Sequence, residues 1–164
     1  MMAILITLIS FFLEATFSLY IPLASHFVAP LFTLVSIFLG SSSFYRKKDY
    51  YIYCFCTGLF YDLITNTLFL HAILFCILGY LFQKSLSWFS ETWYNFLLLL
   101  FLMMIIYRIC SYSILLLTGY VLFDMVVFLY TLVASFIPNL LYGLLLYELQ
   151  YQIYHKHIPQ LKKF

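Results

Sequence analysis

The sequence has little charge and few small residues. Only 9% of its 164 residues are Asp, Glu, Lys or Arg, and it contains five glycines and four prolines. An ordinary globular domain carries roughly 25% charged residues, and a small soluble domain leaves much of its surface in water. The scarcity of charge therefore excludes a water-soluble enzyme. Eight Lys and Arg against six Asp and Glu also exclude the basic surface of a nucleic-acid-binding protein.

Hydrophobic residues make up 66% of the chain, and the mean hydropathy is +1.05. Disorder requires low hydrophobicity, so it is excluded as well. Open sheets cannot exist in lipid because their edge groups stay unpaired, and the apolar segments lack the alternation of a membrane barrel. The composition therefore predicts an all-α integral membrane protein in contact with the lipid bilayer.

Charges, prolines and polar clusters divide the chain into six apolar segments, each taken as one transmembrane helix of a single domain, 1–164. A hydrocarbon core of ~30 Å needs ~20 helical residues. The third and fourth segments are short and form a hairpin with a tight turn at Asn66. The predicted spans are about 1–20, 27–45, 49–66, 67–83, 94–118 and 125–147, followed by a basic tail, 148–164.

Positive residues predict the orientation of these spans. The loops near 21–26, 64–67 and 118–124 contain no Lys or Arg, whereas the loops on the other side and the tail are basic. Cytoplasmic loops carry the excess of Lys and Arg, so we expect both termini to be cytoplasmic. The residues that carry this signal are Arg46, Lys47, Lys48, Lys84, Lys156, Lys162 and Lys163.

The sequence contains no recognisable catalytic motif: it lacks a nucleophile elbow, a phosphate-binding glycine loop and an HExxH helix. Cys54 and Cys56 point to nearly opposite helix faces and cannot share a metal ion. His155 and His157 have no third ligand nearby in sequence. We therefore expect no catalytic residue, no metal and no cofactor.

Ionisable residues inside the spans are the informative ones. A charged group at mid-bilayer costs at least ~2.5–3.5 kcal/mol on insertion scales, so it needs a partner. Glu14, Asp62, Arg108 and Asp124 form the predicted buried charge network, with His71 nearby, all in the outer half of the membrane. The simplest pairing joins Arg108 to Glu14 or Asp62 through two hydrogen bonds. Two interpretations stay open: an ion-pair network that fixes the helices, or a proton relay or ligand pocket.

The turn between the third and fourth spans gives a sharper hypothesis. Gly58 and Asp62 are four residues apart and share a helix face. Asp62 and His71 flank the turn, so their side chains could meet and clasp the hairpin, while Gly58 admits a neighbouring helix. The alternative is that Asp62 caps a helix end and contacts water.

The stretch 56–72 resembles the hallmark of the MreD family, the bacterial rod shape-determining membrane proteins. Its pattern is roughly Gly-x-x-x-Asp-Leu, a polar turn, then Leu-Gly-Leu-His-Ala, and Phe69 stands where the family usually has Gly. Glu14 in the first span, Pro30 opening the second and Pro138 in the last are similar to the family too. The matching hallmark residues are Gly58, Asp62, Leu63, Leu68, Leu70, His71 and Ala72.

The resemblance implies a non-catalytic component of the bacterial elongation machinery in the cytoplasmic membrane. MreD pairs with the single-span protein MreC, and together they connect MreB filaments to the peptidoglycan synthases of the side wall. The family resembles the six-helix S components of energy-coupling-factor transporters. The alternative function is therefore a substrate-binding S-type subunit of a vitamin uptake transporter, and a small membrane-embedded enzyme is a third hypothesis.

Overall fold

The computed structural model describes residues 2–20, 30–67, 69–86, 88, 93–119, 122 and 124–157. Across these ranges the protein is all-helical and contains no β-strand. A 3-10 turn, Ser41–Ser43, extends the second helix. Within the described ranges the six α-helices are α1 (Met2–Tyr20), α2 (Phe32–Gly40), α3 (Lys47–Thr65), α4 (Leu70–Leu86), α5 (Trp93–Leu117) and α6 (Met125–His157).

Each predicted span overlaps one helix, and two boundaries differ. Pro30 and Leu31 are not helical, so α2 begins at Phe32 rather than at 27; residues 27–29 lie outside the described ranges. The last helix continues ten residues beyond the predicted end at 147. Nothing between 148 and 157 is Pro or Gly, the residues that most disfavour a helix interior, so the first part of the basic tail is helical.

The helices run up and down, and α2 lies at the centre. All nine α2 residues are buried, as expected for a helix that is hydrophobic all round. Its Phe38 ring stacks on Phe82 of α4, with the centroids 4.6 Å apart. Beyond it, α5 packs on α4 through Phe96 and Phe82, and α5 packs on α6 through Phe101 and Phe136.

The two ends of the bundle differ in charge. Gln83 near the end of α4 accepts a hydrogen bond from Tyr51 near the start of α3, which brings Lys84 and the run 46–48 to one end, called here the basic end. The opposite end, where α2, α4 and α6 begin, is called the distal end.

The lateral surface is strongly apolar. Two helices, Trp93–Leu117 and Met125–Gln152, are long and apolar enough to cross a membrane, with mean hydropathies of 2.1 and 1.8. Only 11% of the 18-residue apolar stretch of α6 is buried inside the protein. Large hydrophobic side chains are exposed along every α-helix except α2, and they reach the α5–α6 connection, where Leu122 is 90% exposed.

Candidate functional site

Asp62 holds together the turn between α3 and α4. Its side chain, in the last turn of α3, is buried, and the residue is only 4% exposed. The backbone N–H groups of His71 and Ala72 donate to Oδ1 and Oδ2, each at 2.9 Å. The Thr67 hydroxyl donates to Oδ1 at 2.6 Å. The carboxylate therefore caps the N-terminus of α4, where unpaired N–H groups and the helix dipole favour an anion.

His71 closes the same cluster from the α4 side. Its Nδ1 lies 2.8 Å from Asp62 Oδ1. A carboxylate can only accept, so Nδ1 carries the proton in this hydrogen bond. The predicted contact between Asp62 and His71 is confirmed. Part of the alternative, in which Asp62 caps a helix end and contacts water, is confirmed as well. Asp62 does cap a helix, but it caps the following one and does so away from the surface.

Gly58 permits this hairpin to close. A Cβ placed on Gly58 would lie 2.4 Å from the Cα of Ala72 and 2.7 Å from the carbonyl oxygen of His71. These atoms are backbone and cannot swing aside, so any side chain would force α3 and α4 apart. The predicted close approach at Gly58 is confirmed, and its partner is α4.

The turn itself uses left-handed backbone twice. Asn66 ends α3 with φ 55°, and its N–H bonds to the Asp62 carbonyl. Phe69 has φ 56°, a conformation that costs most L-residues roughly 1–2 kcal/mol and Gly almost nothing. This backbone gives a physical reason for the Gly of the MreD-like pattern at the position where this chain has Phe69.

Glu14 caps the central helix in the same way. The residue is 5% exposed; its Oε2 accepts the N–H of Thr33 at 2.9 Å, and its Oε1 accepts the Tyr61 hydroxyl at 2.6 Å. Thr33 is the second residue of α2. One carboxylate from α1 therefore satisfies the start of α2 and reaches α3.

Asn139 supplies a second cap to α2, which sequence reasoning missed. Its Oδ1 accepts the N–H of Leu31 at 2.7 Å, and its amide nitrogen donates to the Ser135 carbonyl. Pro138 lies inside α6 and has no N–H to continue the helical ladder. A polar residue directly after a proline inside an apolar helix was the available signal. Pro30 is buried and lies directly before the start of α2, which Glu14 and Asn139 both cap.

Asp124 differs from its expected place in a buried network. It is exposed, and its Oδ1 accepts the N–H groups of Val126 and Val127 at 2.9 and 3.2 Å. It is the N-cap of α6. The three acids Glu14, Asp62 and Asp124 thus serve the three helices that begin at the distal end.

Arg108 is half-buried on α5. Among the described residues, the ion pair of Asp62 is with His71. Neither carboxylate pairs with Arg108 in that part of the chain, so the predicted fork is corrected. The pairing was predicted from charged side chains alone, which leaves out backbone donors. Each buried carboxylate already accepts backbone N–H at a helix start.

Leu63, another residue of the MreD-like pattern, lies on the surface. It is 77% exposed and points away from the bundle, so it does not contribute to core packing. Leu68 lies outside the described residues.

A second polar layer lies nearer the basic end. Thr7 of α1 hydrogen-bonds the Tyr53 hydroxyl and accepts from Ser36, and Ser10 hydrogen-bonds Tyr142 at 2.7 Å. A small cleft opens at the basic end between α1, α2 and α6, with Ser36 and Gln150 in its lining. The cleft does not adjoin Glu14, Asp62 or His71.

No protein-family model, curated protein or solved structure matches this chain.

Proposed function

We propose that this chain is a multi-pass integral membrane protein whose distal end faces away from the cytoplasm. The support is physical: large apolar side chains cover the sides of the bundle, and two helices are long enough to cross a bilayer. The polar groups at the distal helix starts are paired internally, which lipid requires. The basic end carries Arg46, Lys47, Lys48 and Lys84, and by the positive-inside rule it faces the cytoplasm.

Within the membrane, the chain acts as an MreD-like, non-catalytic scaffold of the bacterial elongation machinery and pairs with an MreC-like single-span protein. The observation that carries this proposal is the α3–α4 hairpin. Gly58, Asp62, His71 and Ala72, the residues of the resemblance, form one interlocked unit. A motif whose members need one another in space is stronger support than the same letters scattered through a membrane helix.

The hairpin also offers a surface for the partner. Leu63 belongs to the hallmark but makes no core contact that would explain it. A partner within the membrane would meet the chain on its exposed apolar lateral faces. Leu63, with the neighbouring exposed side chains of Phe60 and Ile64, provides an apolar contact face on α3.

The same geometry weighs against an S-type subunit and against a proton relay. A vitamin-binding S-type subunit needs a pocket of hundreds of Å³ with convergent polar groups, and the small cleft at the basic end lies away from the polar cluster. A proton relay needs titratable groups free to exchange protons, whereas Glu14 and Asp62 are held by backbone N–H groups. Their arrangement serves architecture.

The test is affinity purification of the tagged full chain in mild detergent, followed by identification of bound membrane proteins. The proposal predicts a single-span partner with a coiled-coil segment at near-stoichiometric yield. Leu63→Ala is expected to weaken that association while leaving the thermal unfolding midpoint unchanged. Leu98→Ala, also at an exposed leucine but on α5, is the matched control and retains the partner. Recovery of a coupling subunit and ATPases of a transporter instead would overturn the proposal.

A further inference from the structure

The α3–α4 hairpin is shorter than the hairpin beside it. Tyr107 of α5 is level with His71 of α4, their ring centroids being 6.2 Å apart. Beyond this level α5 continues ten residues to Leu117, whereas α3 continues only three residues past Asp62 to Thr65. At 1.5 Å per residue, the α3–α4 turn ends about 10 Å short of the α5–α6 connection.

Helix lengths measured from the basic end give a similar difference between the two hairpins. The apolar part of α4 between Gln83 and the turn runs from 70 to 82, which is about 20 Å of helix. The stretch of α5 from 96 to 117, in which half-buried Arg108 is the only charged residue, is about 33 Å. A hydrocarbon core is about 30 Å thick. The α5–α6 hairpin therefore matches the thickness of the hydrocarbon core, and the α3–α4 hairpin is about 10 Å too short for it.

The surface chemistry shows which hairpin defines the outer boundary. The distal parts of α5 and α6 are apolar and exposed, including Leu117 and Val126. They would be unfavourable in water, so they belong in hydrocarbon. The α3–α4 turn then lies below the outer boundary, although it exposes Thr65 and Asn66.

Irregular, polar backbone is not tolerated against acyl chains, whereas a bilayer thins around a short hydrophobic segment at modest cost per ångström. We propose that the α3–α4 face thins the outer leaflet and draws phospholipid headgroups and water about 10 Å inward, to the level of Asn66. In the absence of the proposed protein partner, the occupant of this face is phospholipid. The molecule is therefore asymmetric toward lipid, with a thinned flank at α3–α4 and a full-thickness flank at α5–α6.

This inference rests on the proposed membrane embedding, and the test separates the two. Nitroxide labels are attached singly at Thr65→Cys, Ile109→Cys and Ile137→Cys in a full chain whose Cys54, Cys56, Cys76 and Cys110 are replaced by Ala. Thr65 and Ile109 lie at about the same height on opposite flanks, and all three positions are exposed. Ile64→Cys provides a second labelled position beside the turn. The chain is placed in vesicles of phosphatidylethanolamine and phosphatidylglycerol with 18-carbon chains. Collisions with oxygen report acyl chains, and collisions with a water-soluble nickel chelate report water.

The expected result is nickel accessibility at position 65 and oxygen accessibility at 109 and 137, with the label at 65 about 10 Å nearer the headgroups than the label at 109. Labels at 65 and 109 that report equal depth would overturn the thinning. They would indicate either a submerged turn or a bundle that protrudes from the membrane. A water-exposed label at 137 would instead overturn the membrane embedding itself.

Discussion

At the scale of single residues, the acids of the distal end act as acceptors for backbone N–H groups. Glu14 and Asp62 each satisfy the start of a helix from another element, and exposed Asp124 satisfies its own helix. The sequence indicated that these acids need partners but not which ones. A charged side chain can be read from a sequence. The free N–H groups at the start of α2 and α4 depend on where those helices begin, which the sequence does not specify.

Glu14→Gln and Glu14→Ala separate capping from charge pairing. Gln keeps a carbonyl that can accept the Thr33 N–H, so we expect a loss of about 1 kcal/mol or less in unfolding free energy. Ala leaves the Thr33 N–H and the Tyr61 hydroxyl buried without this acceptor, at a cost of about 2–4 kcal/mol. Thermal unfolding in detergent measures both. If Gln proved as harmful as Ala, the negative charge opposite Arg108 would be the essential property instead.

Phe69→Gly is expected to stabilise the protein. Relief of the left-handed backbone gains roughly 1–2 kcal/mol, and the added freedom of Gly in the unfolded chain offsets about half of it. Ile73→Gly is the matched control: Ile73 is also exposed on the hairpin but lies within α4, so Gly there should cost about 1 kcal/mol. Unfolding midpoints that fall for both variants would contradict the backbone explanation for the Gly of the MreD-like pattern.

At the scale of elements, the existence of each helix could be predicted and its function in the bundle could not. Hydropathy and charge place six helices because lipid-facing and buried residues are both apolar. The sequence does not distinguish the buried from the exposed helices, since α2 and α6 are both hydrophobic, yet α2 is fully buried and only 11% of the apolar stretch of α6 is buried. The Gly58 contact could be anticipated because four-residue spacing fixes which residues share a face.

Gly58→Ala tests the fit of the α3–α4 pair. One methyl group would collide with the backbone of Ala72, and we expect a loss of about 1–3 kcal/mol or more, as for overpacked cores. Gly143→Ala is the control, because a Cβ there meets the flexible Leu100 side chain at 3.0 Å. Proteolysis rate and unfolding midpoint should change far more for the first variant. Equal tolerance of both would show that the helices are not in close contact.

At the scale of the whole molecule, one axis organises the protein. The basic end carries Arg46, Lys47, Lys48 and Lys84, and the distal end carries, among the described residues, three helix starts, each capped by an acid. This polarity yields a topology prediction. A cysteine at Leu122, in the cysteine-free background, should react with impermeant maleimide added outside intact cells, and one at Lys48 only after permeabilisation. Labelling in the reverse order would invert the orientation.

The hairpin clasp is the central claim, and removal of Asp62 tests it most directly. Asp62→Ala leaves the N–H groups of His71 and Ala72 without their acceptor in a buried site, at an expected cost of about 2–4 kcal/mol. Asp124→Ala removes an exposed cap and should cost about 1 kcal/mol. The measurement is accumulation of each variant in the membrane together with the yield of the single-span partner proposed above. We expect Asp62→Ala to abolish stable accumulation or partner binding, with both nearly unchanged for Asp124→Ala. An Asp62→Ala protein that accumulates, binds its partner and supports rod shape would contradict the account.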